Sequence, residues 1–91
     1  MKRKYDSVYD KVFGEYFTDI RVSRGITRRY VAQRLKLKEE ALATYEHGTR
    51  ACPMSVFKAL CDFYGLDIVE TFRELEKMAT SEAKKWKKKS T

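Results

Sequence analysis

Residues 27–48, TRRYVAQRLKLKEEALATYEHG, decide the fold. Their spacing predicts two short helices joined by a tight turn. Thr27 is an N-cap candidate for the first, over about residues 27–35, with Val31, Ala32 and Leu35 on one face. Leu37 plugs the turn. The second, over about 38–47, turns Leu42 and Tyr45 inward and leaves Glu39, Glu40, Ala43, Thr44 and His47 outside. Gly48 stops it, because glycine takes the left-handed conformation after a helix at little cost. Ala32 is small enough to let the two helices cross closely.

The flanks supply support. Val8, Val12, Phe13, Tyr16, Phe17 and Ile20 recur at helical spacing, with Asp6 or Ser7 as a cap before them and Gly25 after the last turn. Gly14 in mid-helix costs about 1 kcal/mol relative to alanine, and it suits the close approach of another helix. Pro53 is a good first-turn residue for a fourth helix with Met54, Phe57, Leu60, Cys61 and Tyr64 as its stripe, ended by Gly65. Asp67 and Glu70 resemble a capping box for a fifth, whose stripe is Ile68, Phe72, Leu75, Ala79 and Trp86. One proline and four glycines in 91 residues disfavour turn-dense β folds. The expectation is an all-α, compact five-helix domain over residues 6–80, a basic arm at 1–5 and a basic tail at 81–91 that frays near its end.

Net charge is +7, but its distribution says more. Residues 5–80 carry 12 Lys/Arg against 12 Asp/Glu, so the excess sits at the two ends. Within the neutral part, residues 21–50 are basic and residues 62–76 acidic. A basic central stretch with basic tails suits a polyanion. The two cysteines are nine apart, without a CxxC, beside a single histidine, which is not a zinc pattern. Cys61 falls on an apolar stripe. Reduced thiols fit a cytosolic protein, and with no secretory signal evident a 52–61 disulfide is the lesser reading. No apolar run approaches the ~20 residues of a membrane span. No carboxylate pair, glycine-rich phosphate loop or nucleophile motif points to an enzyme, and no cofactor or metal is implied.

A helix with only two inward anchors projects from its domain, as entry into the ~12 Å major groove requires. The stretches FGEYFTDIRVSRGIT, VAQRL, LATYEHGTR and FKALCDFYGLDIVE resemble the lambda-repressor-like, XRE-type helix-turn-helix family. The likeness covers residues 13–69. It implies a salt bridge between Arg21 and Glu46 that orients the second motif helix. It implies phosphate contacts at Arg28, Lys38, Thr49 and Arg50 and base reading by Glu39, Glu40, Ala43 and Thr44. Thr27 and Arg29 join the phosphate set at a helix N-terminus, and His47 is either exposed or a further phosphate contact.

Two departures stand out. Lys36 occupies the turn where the family usually has glycine. Glu39 and Glu40 stand where Gln, Ser or Arg are usual; they either accept from cytosine N4 or stabilise the helix N-terminus through its dipole. Tyr30 and Tyr45 sit near the groove-facing surface, whereas the other aromatic residues read as core.

The fifth helix is longer than the family core needs. Phe72, Leu75 and Ala79 are candidates for a two-fold homodimer contact, the alternative being a helix that packs back on the first. The lysine run at 84–89 grips phosphate or merely aids solubility. Two functions compete. One is a sequence-specific double-stranded DNA-binding transcription regulator, a repressor of bacterial, plasmid or phage type acting in the cytoplasm and on the nucleoid. The other is a helix-turn-helix module that binds a protein partner, as an antitoxin or anti-repressor does.

Overall fold

The computed structural model describes the backbone of residues 4–90 and the side chains of residues 8–84. Most of the expected basic arm, and the side chains of Lys85, Trp86, Lys87, Lys88 and Lys89, lie outside the described residues. Five helices follow in order: α1 Lys4–Ser23, α2 Arg28–Leu35, α3 Glu39–His47, α4 Met54–Tyr64 and α5 Ile68–Ser90. No strand occurs among the described residues.

α1 starts earlier than the Asp6 or Ser7 cap expected for it. No glycine or proline interrupts residues 4–7, and the helix runs through them. For the same reason α5 crosses residue 81 and continues to Ser90. Pro53 is the N-cap of α4, at φ −62° and ψ 150°, not its first helical residue.

The core is built around Phe17 on α1. Its ring meets Phe57 edge-on at 6.1 Å and stacks on Tyr64 at 6.1 Å. Val31, Ala32, Leu42, Leu60, Cys61 and Leu75 close around this aromatic centre. Each large apolar side chain removed from water in this way contributes on the order of 2 kcal/mol. Cys52 and Cys61 are both free thiols. Burial, with Asp10 adding to it, pushes the Cys52 thiol up to about 12, so it stays protonated at neutral pH.

α1 packs against both α3 and α5. Leu75 and Ala79 are buried, which corrects their assignment to a dimer face: a 23-residue α5 lies along α1 and spends these two side chains inside the monomer. The Tyr9 hydroxyl donates to the Glu76 carboxylate, and Lys11 pairs with Glu82 at 3.6 Å, along the same seam. Phe72 remains 50% exposed. Met54, expected on the inner stripe of α4, is 67% exposed because it belongs to the first turn, before that helix reaches the core.

The turn between α2 and α3 is closed by Lys36 at φ 57° and ψ 41°. Lys36 N–H donates to the Gln33 carbonyl at 3.2 Å and Leu37 N–H to that of Ala32 at 2.8 Å, so the end of α2 is capped despite the missing glycine. A lysine there costs about 1 kcal/mol that glycine would not.

Gly14 fixes how near α3 comes to α1. A Cβ at this position would stand 2.2 Å from the Glu46 carbonyl oxygen and 2.9 Å from that of Tyr45. Both obstacles are backbone and cannot rotate away. Gly48 extends the contact: a Cβ there would meet the Asp10 carbonyl and Lys11 Cα at 3.0 Å, and its φ is +72°. Gly14→Ala is therefore expected to destabilise the domain by about 3 kcal/mol through forced separation of α1 and α3. In a thermal melt this appears as a fall in Tm of at least about 12 °C; an unchanged Tm would show that the helices do not meet here.

Candidate nucleic-acid interface

Leu42 and Tyr45 are the inward anchors of α3, and both are buried. Two apolar anchors set the depth of a short helix but let it roll. The roll is fixed by Glu46, whose side chain is only 2% exposed. Arg21 Nε on α1 donates to Glu46 Oε2 at 2.9 Å and to Oε1 at 3.2 Å. Arg21 Nη1 also donates to the Ile26 carbonyl at 2.9 Å, tying in the loop before α2. Arg28 Nε, from the first turn of α2, donates to Glu46 Oε1 at 3.0 Å. One carboxylate thus ties three helices together with directional, charge-assisted bonds.

Tyr64 lies against this cluster. Its hydroxyl is buried with no hydrogen-bond partner among the described residues. Burial, and then the Glu46 charge, push its pKa above the ordinary tyrosine value. The Arg24 guanidinium carbon stands 5.3 Å from the centre of its ring, a cation–π contact on the outer side.

With its roll fixed, α3 turns Glu39, Glu40 and His47 to solvent, with Ala43 half-buried between them. Thr44 is also half-buried, and its hydroxyl donates to the Ala41 carbonyl at 2.7 Å, so this donor is already engaged. Glu39 and Glu40 occupy the first turn, where the helix dipole favours acids, and the N-cap Lys38 makes no side-chain cap. Lys38 is exposed at the leading end, and Thr49 and Arg50 are exposed beyond the trailing end. Thr27 caps α2, its hydroxyl oxygen accepting from Tyr30 N–H at 3.1 Å. Arg29, next in sequence, is exposed.

The structure thus gathers Glu39, Glu40, Ala43 and His47 along one outer face of α3 and sets Lys38 and the residue 49–50 loop at its two ends. Arg28 does not stand free with Arg29: its Nε faces inward to Glu46. Sequence reasoning missed this pairing, because Arg28 reads equally well as a free cation at the N-terminus of α2. Tyr45 is buried and not part of the outer surface, whereas Tyr30 is half-exposed, with its ring centre 6.3 Å from that of Phe63. Sequence reasoning also missed an apolar groove of about 190 Å³ beside the α3–α4 loop, lined by Tyr9, Phe13, Cys52, Met54, Phe57 and Phe72.

Among the described residues no group of three His, Cys, Asp or Glu is placed to hold a metal ion. No helix among them is long and apolar enough to cross a membrane. A family model described as a helix-turn-helix domain matches residues 12–75. No curated protein and no solved structure matches the chain.

Replacing Glu46 with glutamine leaves two partly buried guanidiniums around a neutral amide. The expected cost is about 3 kcal/mol, read as a shift in the urea midpoint with an unchanged slope. A midpoint equal to wild type would show that the carboxylate does not hold the three helices.

Proposed function

Because the chain belongs to the helix-turn-helix domain family, we propose that it is a sequence-specific, double-stranded DNA-binding transcription regulator of lambda-repressor-like, XRE type. The observation that carries this reading is the buried Glu46, held by Arg21 and Arg28, because it presents the outer face of α3 as a rigid unit. A helix of nine residues so presented suits a major groove. Glu39, Glu40, Ala43 and Thr44 then face base edges, Thr44 through its methyl group because its hydroxyl is engaged. The flanking cations Arg29, Lys38 and Arg50, with Thr27, Thr49 and His47 beside them, meet phosphates.

Acids at the leading end favour cytosine, whose N4 amino group donates into the major groove. The protein acts as a homodimer that represses by occluding a promoter, in the cytoplasm of a bacterial cell or from a plasmid or phage. Its two-fold contact uses Phe72 with the exposed neighbours Met54 and Val69, in place of the buried Leu75 and Ala79. The role is one of binding, not catalysis.

A second reading, a module for a protein partner, draws on the acidic exposed turn of α3 and the same apolar groove. Selection from a random duplex library at defined salt separates the two. The DNA reading predicts a pseudo-palindrome with C·G enriched at the step facing Glu39 and Glu40 and half-sites about 10 base pairs apart. Six phosphate contacts per dimer, from Arg29, Lys38 and Arg50, give a slope of log K against log salt near about −5. No enrichment even at low salt, with a stable complex to a co-encoded protein, would favour the partner module instead.

A further inference from the structure

Glu46 is bound by two arginines where one guanidinium is able to satisfy a carboxylate through a parallel pair of N–H bonds. The reason lies in Arg21. It meets the carboxylate through Nε alone, while its Nη1 donates to the Ile26 carbonyl. That one N–H is shared, close to Oε2 at 2.9 Å and longer to Oε1 at 3.2 Å. Oε1 therefore depends on a second donor, and Arg28 Nε supplies it at 3.0 Å. With the Glu46 side chain 2% exposed, water does not readily replace that donor.

Resting on the DNA-binding reading, we infer that Arg28 is a positioning residue for the recognition helix and not a phosphate ligand. Its side chain is 27% exposed, and the edge that carries Nε is committed inward. A phosphate that pulled Arg28 outward would strip Oε1 of its near donor and release the roll of α3. Arg29, one residue on and exposed, has no such commitment among the described residues and takes the phosphate instead. The two neighbouring arginines divide the work: Arg28 orients, Arg29 grips.

Lysine distinguishes these roles. A phosphate contact at the outer end of the side chain tolerates a lysine, which offers a point charge. A contact through Nε does not, because lysine has a carbon where arginine has that nitrogen. The test measures affinity for the selected duplex over a salt series for wild type, Arg28→Gln, Arg28→Lys and Arg29→Gln. Both Arg28 variants are expected to bind about tenfold more weakly at every salt concentration, with the slope unchanged. Arg29→Gln is expected to flatten the slope by about 0.9 for each protomer's contact.

An Arg28→Gln slope that flattens as Arg29→Gln does, with Arg28→Lys restoring it, would overturn the inference while leaving DNA binding intact. A wild type that captures no duplex overturns the DNA reading and this inference together. Should an Arg28 variant fail to fold, the Arg28 Nε–H resonance of the wild type decides the matter. It is expected to be protected from exchange and unmoved when duplex is added; a shift on adding duplex would place Arg28 on phosphate.

Discussion

The buried carboxylate of Glu46 is the constraint on which the rest of the structure depends. Taking a charge out of water costs several kcal/mol unless partners surround it. Here Arg21, Arg28 and the backbone at Ile26 are arranged to meet that demand. The net stability such a cluster adds is small, since a well-packed apolar set does as well energetically. Its value is directional. Leu42 and Tyr45 supply most of the burial that holds α3 down, yet apolar contacts are indifferent to a modest roll. The hydrogen bonds to Glu46 are not, and a roll of a few tens of degrees would exchange the residues on the outer face of α3.

The backbone at the same place sets the distance. Gly14 and Gly48 leave no room for a Cβ where α1 meets the end of α3. α1 is in turn held along α5 by Leu75, Ala79 and the Tyr9–Glu76 bond. The long C-terminal helix therefore acts as a splint for α1, and through α1 for α3. That is why its Leu75 and Ala79 are unavailable to a second protomer, while Phe72, one turn away on the outer side, joins Met54 and Val69 as exposed apolar surface.

Much of the framework was legible in the sequence. Apolar periodicity and the punctuation by Gly25, Gly48 and Gly65 located five helices, and the narrow inner face of residues 38–47 marked a projecting helix. Gly14 stood out as a cost that needed a structural reason, and the reason is a backbone carbonyl. The helix ends were less legible because capping residues such as Asp6 also fit inside a first turn. Whether a long amphipathic stripe faces its own domain or a partner is not encoded in periodicity, so Leu75 and Ala79 were misplaced. The second arginine on Glu46 was invisible for a different reason: it depends on Arg21 meeting the carboxylate through Nε alone, a geometric detail with no sequence pattern of its own.

The outer face of α3 is the surface proposed to meet DNA. Amide chemical-shift mapping on adding a selected duplex tests this most directly. The expected result is a set of perturbed amides confined to the start of α2, to α3 and to residues 49–50, with the α5 amides of residues 68–84 unmoved apart from any dimer contact already present in the free protein. Perturbations concentrated around Met54, Val69 and Phe72, with α3 silent, would contradict it.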